Sequence, residues 1–166
     1  MSRITSRHRL RSRDARRLMA EFSERLGIDV AGFLGQNPKV ELAQTREWEI
    51  YIINGAPSMI KREDLLIPAL TFDEALQHLP GVIVDMGAVP HICNGADVMA
   101  PGVKGVEGEF PEGSLVVIVD ERHGKPLAVG VALRSSEEIR KLKRGRVVRN
   151  LHYVGDKIWN LIKGLS

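Results

Sequence analysis

The sequence is short of cysteine and of long apolar runs, and each shortage excludes a class of protein. One cysteine in 166 residues excludes an internal disulfide framework and fits a reducing cytosol, so we expect a cytoplasmic protein. No apolar run approaches the roughly eighteen residues of a membrane-spanning helix. Hydrophobic residues still make up 43% of the chain, which permits a packed core and argues against global disorder.

The start of the chain, MSRITSRHRLRSR, is basic, but no apolar stretch follows it. A secretory signal needs such a stretch, so we do not expect one here. A mitochondrial transit peptide is also rich in arginine and serine, and this alternative stays open.

The sequence also lacks the short motifs of hydrolases and nucleotide-binding proteins. No serine stands in a G-x-S-x-G context, so the strand-to-helix turn that carries a hydrolase nucleophile is not expected. Gly87, Gly95 and Gly102 are spaced too widely for the glycine-rich loops that bind dinucleotides or nucleoside triphosphates.

The single cysteine does not indicate a metal or catalytic site. His91 and Cys93 supply two ligand types, but a structural zinc site takes four ligands, typically in paired spacings. A cysteine nucleophile would need a histidine such as His123 or His152 brought close by the fold, and no spacing predicts that. We therefore expect no catalytic residue, no metal and no cofactor, with Cys93 as buried apolar filling.

Basic residues gather in two segments of the sequence. Residues 1–17 hold seven arginines against Asp14, residues 134–149 hold seven bases against two glutamates, and the remainder holds ten bases and eighteen acids. Two basic segments in an otherwise acidic chain predict contact with a polyanion, since the guanidinium fork of arginine matches phosphate. The alternative is a solvated helix face that only keeps the protein soluble. The candidate polyanion contacts are Arg7, Arg9, Arg11, Arg13, Arg16, Arg17, Lys143, Arg144 and Arg146.

Residues 1–70 are predicted to form a small α+β domain. Residues 12–26 fit a helix that Ser12 caps and Gly27 ends. Residues 47–52 alternate as in a half-buried strand, with Tyr51 on the polar face. Asn54 and Gly55 then predict a type I′ hairpin turn into a partner strand.

Residues 71–166 are predicted to form a second domain of short strands. Thr71 and Glu74 fit a capping box for a helix that stops before Gly81. Strands are expected at residues 82–84, 97–100, 115–119, 126–133 and 146–153, and a helix capped by Ser135 and ending near Gly145 separates the last two. Short strands at even spacing with few helices predict a small barrel or sandwich.

Residues 84–103, VDMGAVPHICNGADVMAPGV, are predicted to form a binding surface. Glycine lets the backbone approach a partner closely, and short side chains such as Ala88 and Ala96 leave a shallow apolar floor. Asp85 and Asp97 adjoin glycine turns, where we expect their carboxylates to bond to nearby backbone N–H groups. A base or sugar can pack on the floor while backbone groups contact its edges, which suits an unpaired RNA end or loop.

The same residues resemble the signature of the PUA domain, the RNA-binding module named for pseudouridine synthase and archaeosine transglycosylase. VDMGA at residues 84–88 and NGADVMAPGV at residues 94–103 carry the resemblance. NLHYVGDKIW at residues 150–159 resembles the C-terminus of the malignant T-cell amplified sequence family. The basic helix and hairpin before residue 70 are similar to that family's layout, and the compact, arginine-rich chain resembles an archaeal member.

The resemblance implies an α+β fold in which a small N-terminal domain precedes a PUA-type β pseudo-barrel. Family members bind the small ribosomal subunit and the acceptor end of tRNA in translation initiation, reinitiation or recycling. We therefore expect a non-catalytic RNA-binding protein whose partners are tRNA or small-subunit rRNA, the ribosome and a density-regulated-type protein, with no membrane. The RNA-binding residues that the resemblance implies are Gly87, Ala88, His91, Asn94, Gly95, Ala96, Asp97, Val98, Met99, Ala100, Pro101, Gly102, Val103, Leu151, His152 and Tyr153.

Two other functions stay open. The chain could be an accessory RNA-targeting subunit for an RNA-modifying enzyme such as a pseudouridine synthase or tRNA transglycosylase. It could also be a protein-interaction adaptor that docks through the exposed edge of the hairpin at residues 48–60.

Overall fold

The computed structural model describes residues 3–165 and divides into two compact units. The first unit contains the residues up to His78 together with those from Asn160 on, and the second is Leu79–Trp159. Residues 1, 2 and 166, which the predicted domains 1–70 and 71–166 include, lie outside the described residues. Each unit combines short helices with one sheet, which confirms the predicted α+β class.

The first unit contains a five-stranded antiparallel sheet in the order β1-β2-β3-β4-β5. Its strands are β1 Ser6–Arg9, β2 Val40–Gln44, β3 Glu49–Ile53, β4 Ala56–Arg62 and β5 Leu65–Pro68. Its helices are α1 Ser12–Leu26, α2 Ala31–Leu34 and α3 Asp73–Leu76. The edge strands β1 and β5 were not predicted from the sequence, because neither carries the alternating pattern of a half-buried strand.

Helix α1 begins and ends where the sequence predicts. Gly27 ends it with a φ of 72°, in the left-handed region that glycine adopts at low cost. The predicted cap is wrong, since Arg11 occupies the cap position without a side-chain hydrogen bond and Ser12 is already helical. Phe22 is fully buried and meets Tyr51 edge-on, with 5.4 Å between ring centroids. Tyr51 is therefore buried too, and β3 is covered on both faces rather than half-buried.

The connection between β3 and β4 is the predicted type I′ turn. Asn54 and Gly55 have φ values of 51° and 85°, both positive as this turn requires. The Asn54 side chain accepts a hydrogen bond from the Lys39 N–H at 3.0 Å and donates one to the Leu34 carbonyl at 3.1 Å. The turn is thereby tied to the segment that leads into β2.

The first unit extends beyond residue 70 because aromatic packing continues there. Phe72 meets Phe33 edge-on at 5.7 Å, and the ring of His78 stacks on Phe33 at 6.0 Å. The predicted capping box of α3 is wrong, since Phe72 occupies the cap position without a side-chain hydrogen bond. The Thr71 hydroxyl donates to the Pro57 carbonyl at 3.2 Å instead.

The second unit contains a six-stranded curled sheet in the order β7-β11-β10-β9-β6-β8. Its strands are β6 Gly81–Val84, β7 Val98–Met99, β8 Val103–Glu107, β9 Leu115–Asp120, β10 Pro126–Ala132 and β11 Arg146–Tyr153. Neighbouring strands are antiparallel except β6 and β9. Its helical segments are α4 Val89–Ile92, a 3-10 turn Ala100–Gly102 and α5 Ser136–Lys141. The last helix, α6, is Lys157–Lys163.

The sequence predicts β6, β9, β10 and β11 to within one residue at each end. Strand β7 is shorter than the predicted 97–100, because the chain turns into the 3-10 segment at Ala100. The Ser135 hydroxyl caps α5, accepting from the Glu138 N–H at 3.2 Å, although α5 ends at Lys141 and not near Gly145. None of the helices within residues 3–165 is both long and apolar enough to cross a membrane.

One glycine allows β10 and β11 to approach each other. Gly130 lies where the register between these strands shifts. A Cβ atom at this position would stand 2.6 Å from Val148 Cγ1 and nearer still to the Arg149 carbonyl oxygen. Cβ atoms do not come so close to other atoms, so glycine is required where the two backbones meet.

Candidate nucleic-acid interface

Most of the predicted RNA-binding residues lie in the segment between β6 and β8, around a single depression. Its volume is about 400 Å³, and we call it the glycine-loop cavity. Its apolar wall comes from short or flexible side chains, with His91 at the rim. Eight of the predicted residues line it, beside Asp85 and Ile92, and these are Ala88, His91, Ala96, Asp97, Val98, Met99, Pro101 and Gly102.

Two short contacts close residues 85–102, which we call the glycine-loop segment, on themselves. The Asp85 carboxylate accepts a hydrogen bond from the Ala88 N–H at 2.8 Å, and the Asp85 N–H donates to the Gly102 carbonyl at 2.9 Å. A Cβ atom at Gly102 would stand 3.3 Å from the Ala88 Cβ, which is tighter than ordinary van der Waals contact. Glycine at this position therefore lets the two ends of the segment come together, and Asp85 has the turn role that the sequence predicts.

Asn150, on β11, holds the middle of this segment in place. Its amide nitrogen donates to the carbonyl oxygens of Ile92 and Ala96, both at 3.0 Å. Its backbone N–H donates to Asp97 Oδ1 at 2.9 Å, and Asp97 Oδ2 lies 3.2 Å from the Arg146 guanidinium. Sequence reasoning missed Asn150, and the only available signal was an amide residue inside a strand at the start of the family-like segment 150–159.

Tyr153 lies against the glycine-loop segment from the end of β11. Gly95 has a φ of 96°, and a Cβ atom there would stand 3.3 Å from the Tyr153 hydroxyl oxygen. The ring is half-buried. The structure therefore brings together Gly95 and Tyr153, two members of the predicted set of RNA-binding residues.

Three residues of the predicted set do not reach the surface. His152 is 0% exposed, and its Nδ1 lies 2.9 Å from Asp156 Oδ2. Val98 and Ala100 are also buried, since β7 and the 3-10 turn direct them into the core of the second unit. Their burial argues against direct contact of these three side chains with RNA, and strand alternation alone does not tell which face is inward.

The second basic segment lies beside the glycine-loop cavity. Pairing of β7 with β11 places Met99 opposite Arg146, and the Ala100 N–H donates to the Gly145 carbonyl at 2.8 Å. The side chains of residues 143, 144 and 146 are exposed there. Met99 is 46% exposed and is the only large apolar side chain so exposed among residues 3–165. The exposed residues Met99 and Arg146 thus lie opposite each other on neighbouring strands, and Lys143 and Arg144 come shortly before them in the chain.

The N-terminal arginines belong to the first unit. Arg7 and Arg9 lie on the exposed strand β1, and the other four lie at the start or on the exposed face of α1. Arg7 binds the Glu41 carboxylate through two hydrogen bonds of 3.1 and 3.2 Å. This contact raises the pKa of Arg7 and lowers the pKa of Glu41. Sequence reasoning missed the pair because β1 and β2 are far apart in the chain.

Cys93 is half-buried at the end of α4. Burial raises the pKa of its thiol, which disfavours the thiolate that a nucleophile or metal ligand needs. Within residues 3–165, no group of three His, Cys, Asp or Glu side chains is arranged to hold a metal ion.

Comparison with protein families divides the chain in two parts. Residues 80–154 match the PUA domain, and residues 6–72 match a domain of unknown function, DUF1947. The chain is 38% identical to an uncharacterized protein of Methanocaldococcus jannaschii over 95% of this chain and 97% of that protein.

Two eukaryotic relatives and one solved structure are similar to the chain over about two thirds of its length or more. Translation machinery-associated protein 20 of Saccharomyces cerevisiae is 32% identical, over 68% of this chain and 66% of that protein. Malignant T-cell-amplified sequence 1 of Rattus norvegicus is 31% identical, over 68% of this chain and 65% of that protein. The crystal structure of a PUA domain from Aeropyrum pernix K1 is 30% identical and superposes with a TM-score of 0.84, over 98% of this chain and 92% of that one. The chain therefore belongs to the family of PUA-domain proteins that carry a DUF1947 domain before the PUA domain, and it is related to the malignant T-cell-amplified sequence proteins.

Proposed function

We propose that this protein is a non-catalytic RNA-binding protein that acts in translation initiation, reinitiation or recycling. The glycine-loop cavity receives an unpaired RNA end, and the ligands are the acceptor end of tRNA, small-subunit rRNA or both. A role in translation would place the protein in the cytoplasm.

The observation that carries the proposal is the apolar cavity beside exposed cations on one edge of the PUA unit. Met99 and Pro101 offer an apolar surface against which a base can pack. Lys143 and Arg144 are exposed and come just before Gly145, whose carbonyl accepts the Ala100 N–H, so in this proposal they attract the phosphates that flank the base. Backbone groups of the glycine-loop segment remain close to the cavity because the segment has few long side chains.

Asp97 and Arg146 have a different role in this proposal. Their ion pair at 3.2 Å holds the segment before β7 against β11. Because the carboxylate also accepts the Asn150 N–H, we assign both side chains to positioning of the cavity wall.

The first experiment compares intact tRNA with the same tRNA lacking its unpaired 3′ nucleotides, using fluorescence anisotropy at low salt. The proposal predicts weaker binding of the shortened tRNA, because the cavity would lose its ligand while the cations would still attract the phosphates. Equal affinity for the two tRNAs would overturn the role of the cavity. A protein with no affinity for tRNA or ribosomal subunits at low salt would overturn the proposal as a whole.

A pair of double variants tests the cations. Lys143→Gln with Arg144→Gln should weaken tRNA binding and reduce the salt dependence by about one unit of log-log slope for each phosphate that is no longer neutralised. The control is Arg134→Gln with Lys141→Gln, which removes the same charge from the same unit. Those two side chains are paired with glutamates on α5, so the control should change binding less. An equal effect of the two double variants would show that only net charge matters.

Co-purification separates this proposal from an accessory role in RNA modification. Ribosomal proteins in the purified complex support a role in translation. A synthase or transferase in their place supports the accessory role.

A further inference from the structure

A second depression lies in the first unit, where β1 leads into α1. Its volume is about 390 Å³, and we call it the α1 cavity. Four basic residues line it, and no acidic residue does. These are Arg9, Arg11, Arg16 and Lys39.

Most of these cations have no counter-charge. Within residues 3–165, no hydrogen bond or ion pair joins the side chains of Arg11, Arg16 or Lys39 to a carboxylate. Within the same residues, Arg9 makes no ion pair either, and the neighbouring Glu41 carboxylate is already bound by Arg7. Like charges that converge on one concave site repel one another, so the arrangement favours a bound anion.

The start of α1 adds hydrogen-bond donors to the same place. The first N–H groups of a helix have no partner inside the helix, and Arg11 at the cap position supplies no side-chain bond to them. Arg11 and Ser12, the residues at this helix start, both line the α1 cavity. The charges and the shape of the cavity carry the inference, and the helix start reinforces them.

We propose that the α1 cavity binds a single phosphate group of an RNA strand. A terminal phosphate carries more charge and more terminal oxygens than a carboxylate, and a phosphate within the strand still offers two terminal oxygens that share one negative charge. Guanidinium groups match the geometry of both, so several cations can engage one phosphate. The assignment of the phosphate to RNA rests on the proposed function, whereas the anion site itself does not. Only some of the N-terminal arginines belong to the site, where Lys39 joins them. Arg7 is paired with Glu41, and Arg13 and Arg17 do not line the cavity.

The test is a titration of the isotope-labelled full chain with inorganic phosphate, followed by amide chemical shifts. The wild type should show saturable shifts at Ser12 and Arg13. Arg11→Gln with Arg16→Gln should weaken binding by about tenfold or more, because the variant removes two charge-assisted hydrogen bonds to the anion.

The matched control is Arg13→Gln with Arg17→Gln, which removes the same charge from the same helix outside the cavity. It should retain nearly the affinity of the wild type. Equal weakening in both double variants, or shifts that spread over the arginines without saturation, would overturn the site. If the cavity variant fails to fold, Lys39→Gln tests the same site from a loop position before β2 and should weaken phosphate binding severalfold.

A second arm identifies the source of the phosphate with short RNAs of one sequence that carry a 5′-phosphate or a 5′-hydroxyl. Tighter binding of the phosphorylated RNA indicates a terminal phosphate, and equal binding indicates a phosphate within the strand. In both cases the cavity variant should bind RNA more weakly than the control variant, and equal RNA affinity of the two would overturn the proposal. Binding of inorganic phosphate to the α1 cavity does not involve the glycine-loop cavity. If the protein binds intact and shortened tRNA equally well, the proposed function is overturned, but the α1 cavity remains an anion site.

Discussion

Asn150→Asp tests whether one amide positions the glycine-loop cavity. The substitution keeps the shape of the side chain but replaces the nitrogen that donates to the Ile92 and Ala96 carbonyls. A carboxylate oxygen cannot donate, so two carbonyl oxygens would face a negative charge. We expect the segment between α4 and β7 to detach from β11 while the rest of the sheet persists.

The magnitude follows from the two hydrogen bonds that the substitution removes. Each contributes about 1 kcal/mol net, and the bond to Ala96 is the weaker because it is exposed. Repulsion between the carboxylate and the carbonyls adds to the loss, which gives about 1–3 kcal/mol in the free energy of local opening. Since 1.4 kcal/mol corresponds to about tenfold in an equilibrium constant, exchange at the Gly95 and Ala96 amides should accelerate by about tenfold or more.

The assay is amide hydrogen exchange, with urea denaturation of the same samples as the measure of global stability. The control is Asn94→Asp, which adds the same charge to the same segment at an exposed position. The control should leave exchange at Gly95 and Ala96 near that of the wild type. Equal protection in the two variants would refute the role of Asn150, and RNA affinity should fall with the loss of protection.

Two further predictions concern the second unit. Gly130→Ala should lower the free energy of unfolding by about 2–4 kcal/mol, because the new Cβ overlaps β11 and the two backbones must separate. Thermal unfolding measures the loss. Gly32→Ala is the control, since its Cβ would meet nothing within 4 Å. Asp120 accepts three backbone N–H groups of its turn, the His123 N–H foremost, and they lower its pKa. Its contribution to stability is therefore present above the unfolded pKa of about 3.9 and is lost as the pH falls through the lower folded pKa. Asp120→Asn should be less stable than the wild type at neutral pH, and the gap should close on acidification; a constant gap would contradict the assignment.

Much of the local structure could be predicted because it depends on neighbouring residues. The helix that ends at Gly27 and the turn at Asn54-Gly55 follow from backbone preferences, which act within one turn of chain. The cap predicted at Ser12 and the capping box predicted at Thr71 and Glu74 were wrong, since Arg11 and Phe72 occupy the cap positions. At Thr71 the hydroxyl donates a hydrogen bond to the Pro57 carbonyl on β4 and does not cap the helix.

The candidate site divides in the same way. The sequence by itself determined the bounds of the candidate binding segment, because its glycines and short side chains are local, and they also carry the resemblance to the PUA domain. Only the tertiary structure decided which of its residues face outward and what holds them. Asn150 meets the Ala96 carbonyl across 54 positions of chain, and Arg7 meets Glu41 across 34. Such partners are fixed by strand register, which depends on the packing of whole sheets and not on the residues around either partner.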